Sequence, residues 1–194
     1  DQTRTFVVNN LMNIWVSPAP ELVPFRDASL EFLRKNPSMA LAAHWGMISA
    51  VYPFWFNVAR QTGRLLALQD QATQTQIINR LKEQYGDRQT VSRYAQFVIR
   101  SFVAWGALKD SEAKGCYEKA VPVSIAEPNL AILMIESALL ATPEAKSALG
   151  LLLNNPAFFP FQLPVMTGDF ASQRSGRIDV IRYGLDDELL KLKA

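Results

Sequence analysis

From Thr90 to Trp105 the chain reads TVSRYAQFVIRSFVAW, and apolar residues recur in it at three- and four-residue steps. Val91, Tyr94, Ala95, Val98, Ile99, Phe102 and Val103 therefore share one face of a predicted helix, and Ser92, Arg93, Gln96 and Arg100 share the other. Thr90 is placed to cap it, because its hydroxyl can accept from backbone N–H groups left unpaired in the first turn. Gly106 ends it. Upstream, Thr73 or Gln74 opens a helix to Tyr85 that turns Ile77, Ile78 and Leu81 inward and Arg80, Lys82 and Glu83 outward. The connection Gly86-Asp87-Arg88-Gln89 has the length and glycine content of the turn in a helix-turn-helix. Downstream, Ala107–Asp110 and Cys116–Ile125 alternate around a polar turn at Ser111–Gly115, which predicts an antiparallel hairpin. Pro122 places the second strand near a sheet edge.

The remaining pattern is mostly helical. Residues Thr5–Val8 could add an edge strand, and Leu11, Ile14 and Trp15 form a short amphipathic turn before Pro18, Pro20 and Pro24 interrupt any long helix. Asp27 or Ser29 caps a helix to Arg34 with Leu30 and Leu33 buried. The segment Met39–Leu68 is too long and too apolar for a surface helix, and Pro53 divides it into helices at Ser38–Val51 and Pro53–Leu68. Pro128 starts a helix through Leu140, and Thr142-Pro143-Glu144 starts another through Leu153. Arg177–Tyr183 alternates as a strand, and Asp186–Leu192 reads as a short terminal helix. The expected class is mainly α with a small antiparallel β component: a helical body over 1–70, a winged helix-turn-helix over 71–125, and a helical part with a terminal strand over 126–194, packed as one compact unit.

Composition narrows the chemistry. Hydrophobic residues make up 49% and charged residues 20% of 194, which is globular. The net charge is only +2, yet residues 71–119 carry eight Lys/Arg against five Asp/Glu, while residues 120–194 carry six against eight. One cysteine, Cys116, excludes an internal disulfide and fits a reducing compartment. With one histidine, His44, the Cys/His content supports no zinc site, so no metal and no cofactor are expected. His44 beside Trp45 reads as a packing histidine. The nine glycines form neither GxGxxG nor GxxxxGK[ST], and the acidic run Asp186-Asp187-Glu188 reads as charge complementing a helix dipole. A non-enzymatic protein is expected. No apolar run is long and uncharged enough for a membrane helix, and no basic stretch with an apolar run opens the residues given, so a cytoplasmic location is expected.

Major-groove reading needs a helix with exposed donors near its N-terminus; Arg suits guanine and Gln suits adenine, because each can make two bonds at once. Arg88, Thr90, Ser92, Arg93 and Gln96 crowd the start of the second helix, with Arg100 two turns in. Arg80 and Lys82 on the preceding helix, and Lys109 and Lys114 on the hairpin, are candidates for phosphate contact. Asp87, Asp110, Glu112 and Glu118 oppose an unselective polyanion surface. The segment Thr73–Ile125 resembles the winged helix-turn-helix superfamily. The run HWGMISAVYPFWF, followed by the helix pair and TVSRYAQFVIRSFVAWGAL, is similar to the BrxA-like DNA-binding subunits of BREX bacteriophage-exclusion systems. That resemblance, which does not extend to Phe158–Phe161 or the terminal strand, implies a bacterial antiviral-defence subunit that binds double-stranded DNA and has no catalytic activity of its own.

The alternative is a winged-helix adaptor or scaffold that docks another protein within a multi-subunit complex. The segment AFFPFQLP bears on it, because Phe158, Phe159 and Phe161 between prolines either close the core or present a partner surface.

Overall fold

The computed structural model describes residues 8–183 and 187–193. Residues 8–11 are helical and lead into a π-helical turn, Met12–Val16, that buries Ile14. The strand expected at Thr5–Val8 falls mostly outside the described residues. A 3-10 turn at Pro20–Leu22 feeds α1, Val23–Lys35, so the helix begins a full turn before Asp27. Pro24 is tolerated there because the N–H it lacks would be unpaired in a first turn anyway. The phase differs too: α1 buries Phe25, Ser29 and Phe32, leaving Leu30 and Leu33 half-buried, and the Ser29 hydroxyl donates to the Phe25 carbonyl at 2.9 Å.

The helix expected from Ser38 starts at Ala40: Ser38 lies inside a 3-10 turn, Pro37–Met39, ahead of α2 at Ala40–Val51. Pro53 opens α3, Pro53–Leu66, as its position at N1 requires. Then come β1 (Gln71–Thr73), α4 (Gln74–Tyr85), α5 (Gln89–Ala104), β2 (Leu108–Asp110), β3 (Cys116–Lys119) and β4 (Val123–Ser124). Next is α6, Pro128–Leu140, with Glu127 as N-cap, and it matches the expected span. The helix expected over 142–153 is instead β5, Lys146–Ala148, followed by a short α7, Leu149–Leu153. A turn with Ala145 at φ +48° breaks the run, and the strand then gains a partner in β8. The rest is β6 (Phe161–Gln162), α8 (Gly168–Ser175), β7 (Ile178–Tyr183) and β8 (Asp187–Leu192). The expected terminal helix is thus a strand: β8 pairs antiparallel with both β5 and β7, and two ladders outweigh the weak helical preference of so short a segment. Asp186 lies outside the described residues.

The protein is mainly helical with small antiparallel sheets, ordered β1-β3-β2 and β5-β8-β7, and β4 pairs parallel with β6. The chain divides into two compact units, one of residues 1–53, 127–152 and 165–194, the other of residues 54–126 and 153–164. The boundary expected at 70 thus moves to 53, and the last third divides between both units. In the first unit α2 packs along α6, where Gly46 sits 3.7 Å from the Ser137 side chain once a Cβ is placed on it. Trp45, Met47, Leu130, Met134, Ile135 and Leu139 are buried there. Glu136, 2% exposed at its side chain, accepts two bonds from Arg177, at 2.5 Å to Nε and 2.8 Å to Nη2, which ties α6 to the start of β7.

In the second unit α4 packs on α5, α4 reaches β1 and α5 reaches β2 of the sheet β1-β3-β2, and α3 meets α5 through a ring contact. Trp55 meets Phe102 edge-on at 5.2 Å, Phe102 meets Phe159 at 5.6 Å, and Phe56 meets Phe158 at 6.3 Å. Gly63 is where the 153–164 segment reaches α3: a Cβ there would lie 1.9 Å from the Pro156 carbonyl oxygen. Phe158, Phe159 and Phe161 are 2%, 6% and 7% exposed. They close this core and do not present the partner surface considered from the sequence. Among the described residues, no helix is long and apolar enough to cross a membrane.

Candidate nucleic-acid interface

The helix pair α4–α5 is set by local chemistry at each end. Thr73 caps α4 in a reciprocal box: its hydroxyl accepts from the Gln76 N–H at 3.1 Å, and the Gln76 side-chain oxygen accepts from the Thr73 N–H at 2.8 Å. Gln74 N–H donates to the Gly115 carbonyl at 2.8 Å, which fastens the start of α4 to the hairpin. Ile77, Ile78 and Leu81 are buried as expected. The turn is three residues long and starts with Gly86 at φ +82°, a conformation that costs glycine no steric strain. Arg88, not Thr90, is the N-cap of α5 and makes no side-chain cap bond; Thr90 is exposed in the first turn.

Helix α5 buries Val91, Ala95, Ile99 and Phe102. Val98 and Val103 are half-buried, and Tyr94, expected on the apolar face, is 47% exposed. Arg93, Gln96 and Arg100 are exposed, whereas Ser92 is half-buried. Phe97, which the periodicity reading passed over, is 53% exposed in the middle of this polar face. It lies one turn after Arg93, whose guanidinium stands 5.7 Å from its ring centroid, and Tyr94 is edge-on to it at 6.4 Å. Spacing could have identified it, since positions 93, 97 and 100 are one stripe of a 3.6-residue helix.

The hairpin β2–β3 has the register Leu108↔Lys119, Lys109↔Glu118 and Asp110↔Tyr117. It is shorter than expected: β3 ends at Lys119, before Pro122, and Val123–Ser124 joins a different sheet. β3 is the central strand, because β1 pairs antiparallel on its far side. Lys109 faces Glu118 across the ladder, and Glu118 also accepts from Gln71 Nε2 at 2.7 Å. Lys114 is exposed at the tip beside Gly115, which has φ +77°.

Acidic neighbours sort the cations. Arg100 Nη1 donates to Asp110 at 2.7 Å, and Lys82 pairs with Asp87 at 2.8 Å. The bond to Asp110, more than its charge alone, raises the Arg100 pKa further. Arg80 is half-buried on α4. Among the described residues, Arg88, Arg93, Lys109 and Lys114 have no ion pair within 4.0 Å. By sequence, the unit of residues 54–126 and 153–164 holds ten Lys/Arg and six Asp/Glu, a balance of +4, whereas the other unit holds ten and twelve, a balance of −2. A groove of about 730 Å³ lies between the start of α4 and the hairpin, lined by Thr75, Arg100, Asp110, Lys114 and Cys116 among others. Among the described residues no cluster of three or more His, Cys, Asp or Glu side chains could hold a metal. His44 is exposed on α2 with Trp15 edge-on at 5.0 Å, and desolvation lowers its pKa.

Comparison of the chain with protein-family models, with curated proteins and with solved structures finds no match.

Proposed function

We propose that residues 71–125 are a winged helix that binds double-stranded DNA, with α5 as the helix in the major groove and β2–β3 as the wing on the phosphates. The observation that carries this reading is the order β1-α4-α5-β2-β3 with the sheet β1-β3-β2 behind a helix that exposes Arg88, Arg93 and Gln96. The positive balance of this unit supports the same partner. Arg93 and Gln96 face the groove, Arg88 and Thr90 meet phosphate at the helix start, and Lys109 and Lys114 brace the wing. Arg80, Lys82, Ser92 and Arg100 contribute less, two through partial burial and two through their acidic partners. On this reading the role is non-enzymatic, and the sequence resemblance to BrxA-like subunits supports a part in a bacterial phage-defence assembly.

The test is a titration of duplex DNA by fluorescence anisotropy, with Arg88 and Arg93 changed together to Ala. Each lost phosphate contact lowers the slope of log K against log salt by about 0.9. A folded double variant with unchanged affinity would overturn the assignment. One observation favours the adaptor reading: Tyr94 and Phe97 form an exposed aromatic pair, which suits a protein docking surface too. Absence of duplex binding at low salt, together with a co-purifying protein lost in Phe97→Ala, would favour it.

A further inference from the structure

If α5 enters the major groove, its central contact is a ring. The groups with the best geometry for base-edge hydrogen bonds are partly withdrawn: Arg100 is held by Asp110 at 2.7 Å, and the Arg93 guanidinium lies over the Phe97 ring at 5.7 Å. Phe97, on the stripe between those two arginines, is 53% exposed, and Tyr94, edge-on to it at 6.4 Å from the border of that stripe, is 47% exposed. An exposed phenylalanine cannot be there to donate or accept a hydrogen bond. In the major groove the apolar feature that a ring can meet is the methyl group on pyrimidine C5, which thymine carries and cytosine lacks. Arg88, Lys109 and Lys114, cations of this unit with no ion pair among the described residues, complement the phosphates on either side of a groove, so the unit's charge matches the same occupant.

We propose that Phe97, with Tyr94 beside it, is a specificity-determining contact that reads the C5-methyl group of a pyrimidine in duplex DNA. This rests on the DNA-binding reading and adds to it the base feature recognised. The ring covers the methyl, and Arg93 keeps the ring's orientation by lying across its face. Burial of one methyl-sized group changes an equilibrium about fourfold at 25 °C. Discrimination is therefore modest per contact and multiplies when both rings engage.

The experiment compares alternating A·T duplexes that contain either thymine or deoxyuridine, which differ only by that methyl, at one fixed salt concentration. A second pair compares G·C duplexes with cytosine or 5-methylcytosine. The wild-type chain should bind the thymine duplex about fourfold or more tightly than the deoxyuridine duplex. Tighter binding in the second pair as well would assign recognition to the methyl itself, whereas preference confined to the first pair would assign it to thymine. Phe97→Ala should remove the discrimination while retaining salt-dependent binding, and Phe97→Leu, which keeps an apolar surface, should preserve part of it. Equal affinity for the thymine and deoxyuridine duplexes overturns this inference and leaves DNA binding standing. Discrimination that survives in Phe97→Ala overturns the role of the ring. Failure to bind any duplex at low salt overturns both readings.

Discussion

Arg177→Ala puts the packing of the first unit to a quantitative test. Glu136 lies in the middle of α6 with its side chain 2% exposed, and Arg177 holds both its oxygens, at 2.5 and 2.8 Å. Removal of the guanidinium leaves a carboxylate without its counter-ion inside a helix whose neighbours Leu133, Met134, Ile135 and Leu139 are buried. Breaking a buried pair in this way costs roughly 3–5 kcal/mol. The low end applies, because the Arg177 side chain is 33% exposed and water can follow into the vacated space. A loss of about 3 kcal/mol corresponds to a fall in Tm of roughly 6–12 °C for a chain of this size. The double variant Glu136→Leu with Arg177→Met removes both charges and should recover most of that loss, since the desolvation cost disappears with the pair. Urea denaturation with both far-UV and near-UV detection measures it. A loss below about 1 kcal/mol in Arg177→Ala, or a double variant as damaged as the single one, would refute the reasoning.

Gly63→Ala should disrupt the second unit by more than a usual small-to-large change, beyond about 1–3 kcal/mol, because the clash at 1.9 Å is with a backbone oxygen of Pro156 that no rotamer change relieves; thermal unfolding measures it, and a wild-type Tm would contradict the close approach. His44 is the sole histidine, so its proton NMR signals are unambiguous, and they should titrate below its ordinary value of 6.5. With the folded pKa lowered, the unfolded chain takes up the proton first, so any contribution to stability is full above the unfolded pKa and fades as pH falls through that range. A midpoint at or above 6.5 would contradict the desolvation by its surroundings.

Much of the helical structure was legible in the chain. Pro128 at the head of a thirteen-residue, apolar-rich run defines α6, and Thr73 with Gln76 defines the capped start of α4, because both signals are local. What was not legible depends on distant partners. β1 and β5 are three-residue strands that exist through pairing with β3 and β8, and nothing in QAT or KSA announces those partners. β8 was mistaken for a helix for the same reason. In the candidate interface the order of parts and the exposure of Arg93, Gln96 and Arg100 follow from periodicity. The pairing of Arg100 with Asp110 does not, since ten residues and a turn separate them. Tyr94 fits the three-residue step from Val91, yet around a 3.6-residue helix it lies about 60° from Val91 and about 100° from Ala95, outside the sector those two bury and at the edge of the stripe.

The most direct measurement is the affinity of the intact chain for a fluorescent duplex at two salt concentrations, compared with the Arg88→Ala, Arg93→Ala double variant. Winged-helix binding to DNA predicts tight, steeply salt-dependent association that weakens in the folded double variant, with a slope shallower by about 0.9 because Arg88 is the one of the two placed on phosphate. No association at low salt, or the same affinity in both proteins, would contradict it.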